Sequence, residues 1–117
     1  SSSSKPFSLI VTLTFTEIQY KSIFLRDIAP LAKYVKDQEL DTIAYEVLES
    51  DKDPLRVLIL ERYKDKERAF LEIHRNSKPF LDFRPKLKAL QDAGHVSVVG
   101  ESFFDSGIGF GDRAETS

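Results

Sequence analysis

Two apolar runs in the middle of the chain, DTIAYEVLES (41–50) and RVLILERY (56–63), are joined only by the short stretch SDKDP at 50–54. Asp and Ser favour local side-chain-to-backbone hydrogen bonds, and Pro54 presets its own φ, so this stretch reads as a turn. A connection this short can only return the chain antiparallel. A β-hairpin therefore sits mid-chain, and whatever precedes and follows it must pack around it. In its first strand Ile43, Tyr45 and Val47 are expected on one face. The second strand is apolar at four successive positions, VLIL at 57–60, so both of its faces are expected to be covered.

The flanks carry the partners. FSLIVTLTF (7–15) alternates, with Phe7, Leu9, Val11, Leu13 and Phe15 on one side and Ser8, Thr12 and Thr14 on the other; only Ile10 breaks the rule. Thr16 and Gln19 match the capping box S/T-x-x-E/Q and mark a helix start. That helix presents Phe24, Ile28, Leu31 and Val35 as a stripe and ends near Asp37. Pro30 inside it predicts a kink or two helices in series. After the hairpin, Asp65 is a candidate N-cap for a helix from Lys66 to about Asn76, on which Phe70, Ile73, His74 and Ser77 share a face. Phe80, Phe83, Leu87 and Leu90 continue at helical spacing, and Pro85 predicts two short pieces there as well. Gly94 is placed as the stop. HVSVVGESFF (95–104) reads as the last strand, with Gly100 marking a bulge or bend.

The order β-α-β-β-α-β predicts an α+β, ferredoxin-like split βαβ fold with an antiparallel sheet and helices on one face. At 117 residues one domain is expected, spanning 7–104, with a disordered tail at 1–6 and a flexible, glycine-rich tail at 105–117. The opening SSSS is left out of the fold argument, and the absence of methionine suggests that the true start is missing or removed. On the sheet's second face Ile10, Leu48, Leu58 and Leu60 are candidates beside Thr12, Thr14, Glu46 and Glu49. An apolar patch there predicts a partner, first a second copy packed sheet against sheet.

Seventeen basic against nineteen acidic residues leave a formal charge of -2, with no basic block, so nucleic acid is set aside as a partner. With no cysteine, disulfides, thiolate metal sites and cysteine nucleophiles are excluded, and a reducing, cytoplasmic location is compatible. VLIL is far too short to span a bilayer, and no charged segment followed by an apolar one opens the chain, so neither membrane nor secretory signal is expected.

The segment FLRDIAPLAKYVKDQELDTIAYEVLESDKDPLRVLILERYKDKERAFLEIHRNSKPF resembles the antibiotic biosynthesis monooxygenase domain. The features that carry the likeness are the proline-interrupted first helix (APL), the AYE strand, the acidic turn with proline, and ERYKDKERAFLEIHRNS. The last resembles the family's strand ending in Glu-x-Trp, followed by a helix bearing a histidine and then a serine. On that match Glu61 takes the glutamate position, Tyr63 the tryptophan and His74 the histidine. The resemblance implies a dimeric α+β barrel and a monooxygenase that uses O₂ on small apolar or aromatic oxygenated substrates in an enclosed cavity, with no flavin, metal or other cofactor. It equally implies two alternatives: a non-catalytic ligand-binding or stress-related dimeric barrel, or an isomerase of small phosphorylated carbonyl compounds. The isomerase would need a cationic site, for which Arg75, Arg84 and Lys86 are nominal candidates. Haem degradation in this family relies on an asparagine in the first strand with tryptophan and histidine; here Asn76 is the only asparagine and tryptophan is absent, which argues against it.

His74 keeps two readings from the sequence: a buried histidine satisfied by a structural hydrogen bond, or the polar group of a ligand cavity with a pKa suited to acid–base work. A metal-ligand role is set aside because no other ligand converges on it at a recognisable spacing. With the resemblance, His74 and Tyr63 become the catalytic candidates, as base or orienter and as hydrogen-bond partner of a substrate oxygen. Tyr45, Phe80 and Phe83 are the substrate-binding candidates, against the plainer reading of aromatic core packing. Glu61, Arg62 and the run KDKER at 64–68 read as solvated charge.

Overall fold

The computed structural model describes residues 5–113; of the two expected tails, residues 1–4 and 114–117 lie outside the described residues. Strand β1 (Phe7–Phe15) leads into helix α1 (Ile18–Gln38), followed by the hairpin β2 (Thr42–Glu49) and β3 (Arg56–Tyr63). A wide π-helical segment (Lys66–Ile73) and a 3₁₀ turn (His74–Asn76) lead to helix α2 (Lys78–Asp92) and strand β4 (Val96–Phe104). The four strands form one antiparallel sheet in the order β2-β3-β1-β4, the ferredoxin-like arrangement. The hairpin turn closes as its residues dictate: Ser50 Oγ accepts from the amides of Lys52 and Asp53, and Asp53 Oδ1 accepts from that of Leu55.

Alternation along β1 and β3 decides what the helices cover. Leu13, Phe15, Val57, Ile59 and Val96 meet Phe24, Ile28, Leu31 and Val35 of α1 and Phe83 and Leu87 of α2 in one buried cluster. Each such side chain contributes about 1.5–3 kcal/mol by leaving water. A second, smaller cluster of Phe7, Tyr63 and Ala69 lies under the π-helical segment, with Leu9 and Phe70 against it. On the opposite face Ile10 pairs with Leu60, Thr12 with Leu58, and Leu48 with Leu58. Val99 and Phe103 continue this face on β4, and both are exposed. Among the described residues no helix is long and apolar enough to cross a membrane.

Several local expectations change. Both prolines sit inside single helices: α1 runs through Pro30 and α2 through Pro85. Each ring is exposed, as are the residues one turn earlier, Arg26 and Leu81, whose carbonyls lose their partners on a side that water can reach. The capping box does not form. Thr16 Oγ1 donates to the His95 carbonyl, and α1 begins after Glu17 with no side-chain cap. The register shifts between Thr42 and Ala44, so Ile43 turns outward while Tyr45 and Val47 stay against the core. Gly100 makes no bulge, for it sits in unbroken register opposite Val11. Gly94 does end the helical region, at φ 77°, the left-handed conformation that glycine adopts freely. Residues 105–113 form turns and bends, tied back where the Asp105 amide bonds the Pro6 carbonyl.

Candidate functional site

The stretch 66–76 is not the regular helix its spacing suggests. Asp65 caps it as expected, but its carboxylate accepts from the amide of Ala69, four residues on, and the chain then winds wide. The amide of His74 reaches both Ala69 and Phe70 carbonyls before the turn tightens to 3₁₀. Ser77 then starts α2, its hydroxyl oxygen accepting from the Phe80 amide while the hydroxyl donates to the His74 carbonyl. Such widened turns recur at functional sites. This one carries His74 inward onto the sheet until only 1% of it is exposed.

His74 meets carboxylates there rather than backbone. Nδ1 lies 2.9 Å from Oε1 of Glu39, the residue that closes α1. Nε2 lies 3.9 Å from Oε1 of Glu61 on β3. Tyr63, two residues along and on the same face of β3, donates its hydroxyl to Glu61 Oε1 at 2.5 Å. The Nδ1–Glu39 hydrogen bond fixes the ring and leaves Nε2 facing Glu61. Rings of Tyr45, Tyr63, Phe70 and Phe80 surround the imidazole with centroids 5.0–6.2 Å away. Both carboxyl groups are buried, Glu39 at 4% and Glu61 at 5% exposed, and Glu39 Oε2 has no partner among the described residues.

Burial pushes the Glu61 carboxyl above the usual carboxylate range; Glu39 adds to that push, while the Tyr63 hydroxyl and His74 oppose it. Burial, then the nearby Glu61 charge, pushes both phenols, Tyr45 and Tyr63, well above the normal tyrosine range, so they act as neutral donors. No cluster of potential metal-binding side chains occurs among the described residues.

Beside this group lies a cavity of about 330 Å³ between the sheet and α2. Leu9, Val11, Ile59 and Val98 floor it, and Phe70, Phe80, Phe83 and Leu87 wall it. Glu61 and Tyr45, directly opposed across β3 and β2, are its inner polar groups. The Tyr45 hydroxyl has no hydrogen-bond partner among the described residues, so it is free to donate to a guest. The cavity is open rather than enclosed, and Arg75, Arg84 and Gly100 are its exposed lining.

The substrate-binding candidates Tyr45, Phe80 and Phe83 thus line one cavity. Tyr63, hydrogen-bonded to Glu61, and His74, with Nε2 3.9 Å from that carboxyl, stand behind its wall and do not line it. His95 is elsewhere, stacked on Tyr20 at 3.6 Å. Glu61 corrects the reading of solvated charge: it occupies an inward position of β3 in line with Val57, Ile59 and Tyr63, and that alternation was the signal that could have found it. Glu39 carries no comparable local signal, since its partner is 35 residues away.

The profile of the antibiotic biosynthesis monooxygenase family matches residues 6–86, and the chain belongs to that family. No curated protein matches. Solved structures share the fold at low identity. A Caulobacter crescentus protein classed among antibiotic biosynthesis monooxygenases is 19% identical with a TM-score of 0.71, over 89% of this chain and 92% of that one. A conserved Bacteroides thetaiotaomicron protein of unknown function is 19% identical at 0.69, over 87% and 99%. SnoaB, a cofactor-independent oxygenase from Streptomyces nogalater, is 13% identical at 0.63, over 87% and 94%.

Proposed function

We propose that this protein is a cofactor-independent monooxygenase that oxidises a small aromatic substrate carrying an acidic C–H or O–H group, with Glu61 as the base. The observation that carries this reading is a buried carboxyl at the inner wall of an apolar cavity, hydrogen-bonded by Tyr63, neighboured by His74 and raised by burial above the usual carboxylate range, which makes it a stronger base. The volume lies at the lower end of the range of about 300–1,000 Å³ for small-molecule sites, which suits a compact guest.

The reaction balances without an added reductant. Glu61 takes a proton from an activated CH₂ flanked by aryl or carbonyl groups, with the Tyr45 hydroxyl donating to the substrate oxygen that receives the charge. The carbanion adds O₂, and Glu61 returns the proton to give a hydroperoxide. Loss of water leaves C=O: CH₂ + O₂ → C=O + H₂O, with all four electrons from the substrate. Tyr63 is a positioning group in this scheme, orienting Glu61 through its hydrogen bond, while His74 packs beside that carboxyl and is itself oriented by Glu39. Glu61 is only 5% exposed, so its contacts act largely out of water, where they are stronger.

The test is oxygen uptake with an anthrone-type and hydroquinone panel. Glu61→Gln keeps shape and hydrogen bonding but cannot accept a proton, and turnover should fall about 100-fold or more. Unchanged turnover in that variant removes Glu61 from the mechanism. Saturable ligand binding with no oxygen uptake by the wild type favours a ligand-holding barrel instead. The sheet face away from the helices, where half-buried Ile10, Leu58 and Leu60 lie beside exposed Leu48, Val99 and Phe103, supports a homodimer packed sheet to sheet. A single species of twice the monomer mass is expected in sedimentation at micromolar concentration, and Leu60→Glu should return it to monomer.

A further inference from the structure

We infer that the cavity takes a guest with an anionic substituent, whose carboxylate or phosphate is held at the mouth by Arg75 and Arg84. This deepens the proposed function, resting on the same cavity and naming the class of substrate it selects.

The observation is a difference among the arginines. The chain has seven. Arg26 pairs with Asp27, Arg56 with Asp53, Arg62 with Asp105 and Arg68 with Glu72, while Arg113 lies over the Phe110 ring. Only Arg75 and Arg84 make no ion pair, hydrogen bond or ring contact among the described residues, and these are the two that line the cavity. The nearest acids in sequence are already engaged: Glu72 with Arg68, and Asp82 with Lys78. In a chain of net charge -2, two uncommitted guanidinium groups at one opening are not explained by general basicity.

Their placement suits a two-ended guest. Arg75 comes from the 3₁₀ turn beside His74, and Arg84 from the face of α2 that also presents Phe80, Phe83 and Leu87. A ring system lying on the apolar floor would set its reactive carbon near Glu61 and Tyr45, and its charged end at the rim. The planar fork of an arginine matches carboxylate and phosphate oxygens, and two arginines lining one opening would discriminate against a neutral analogue. Repulsion from Glu61 would oppose burying the anion at the inner end, so the same charges set the orientation of the guest.

Binding alone tests this, without turnover. The chain has no tryptophan, so naphthyl emission can be followed without tryptophan fluorescence. The probes are 2-naphthoate, 2-naphthyl phosphate and the neutral 2-naphthalenemethanol, titrated at pH 7 in low salt. At least one anion should bind about tenfold tighter than the alcohol, and the tighter of the two names the head group. The advantage should shrink with added salt. It should vanish in Arg75→Gln/Arg84→Gln and survive in Arg68→Gln, an exposed arginine away from the cavity. An alcohol that binds as well as both anions overturns the inference while leaving the cavity reading intact. An anion preference that persists in the double variant overturns it equally, and failure of every probe to bind overturns both.

Discussion

The two ends of the inward face of β3 are built for opposite purposes. At one end Val57 and Ile59 lie in an all-apolar cluster beneath α1 and α2. Two and four residues further on, the same face of the same strand presents Glu61 and Tyr63 to Glu39 and His74. Burial is as deep at both ends, with Val57 and Tyr63 each at 0% exposed. The apolar end gains free energy from leaving water. The ionisable end must recover the desolvation of two carboxyl groups and an imidazole through their mutual contacts, which often does no better than break even. Glu39 Oε2, left without a partner, belongs to that deficit. A fold can carry such a cluster only if its stability is secured elsewhere, and here it is secured a few ångströms along the same strand.

Substitutions at the two ends should separate these purposes. The largest loss of stability is expected from Phe24→Ala, which empties the apolar end and should cost about 3–5 kcal/mol in denaturant unfolding; cavity binding per folded molecule should survive. Next comes His74→Ala, which strands two buried carboxyl groups. It should cost about 3 kcal/mol, the low end for removing one partner of a buried group because Tyr63 still bonds Glu61, and, unlike Phe24→Ala, should also abolish turnover in the folded fraction. Equal damage to both properties by both variants would erase the distinction.

The smallest effect is one of pH. The folded chain holds a proton on Glu61 above the pH at which the unfolded chain has released it. In that window the native state binds more protons, so unfolding free energy falls as pH rises. Glu61→Gln should flatten this fall, measured as denaturation midpoint from pH 4 to 8, while turnover of the wild type should climb through the same window as the base ionises. A midpoint that falls equally steeply in both proteins would place the titration elsewhere.

The architecture was legible in the sequence because its signals are local. Alternation in 7–15, the SDKDP turn and the Phe24–Val35 stripe each report their own element, and Gly94 marks its own stop. The misreadings share one cause: neighbours distant in sequence decided them. Thr16 had a helix to cap but found the His95 carbonyl closer to hand. Pro30 and Pro85 interrupt nothing because tertiary packing holds α1 and α2 together across an exposed gap. The site was half legible. Tyr45, Phe80 and Phe83 could be named as wall residues from their type and spacing. Charged residues, in contrast, are read as exposed unless a partner is known; the partner of Glu39 comes from another element, and Glu61 is covered from other elements although Tyr63 on its own strand bonds it. The π-helical winding that brings His74 inward has no periodicity of its own to recognise.

The pairing of β1 with β4 has one more consequence. Phe7 faces Phe104, and Asp105 bonds back to Pro6, so the first and last strands of the sheet start and finish side by side. That corner is also where Tyr63, Phe70 and Lys66 crowd around Phe7, next to the ionisable cluster. Anything fused at either end of the domain would emerge beside the chemistry, whereas the hairpin tip at 50–55 lies at the far end of the strands. Insertions for labelling or immobilisation belong at that tip, and a short peptide joining the two ends would leave the sheet's connectivity unstrained while shortening the search by which its outermost strand finds its place.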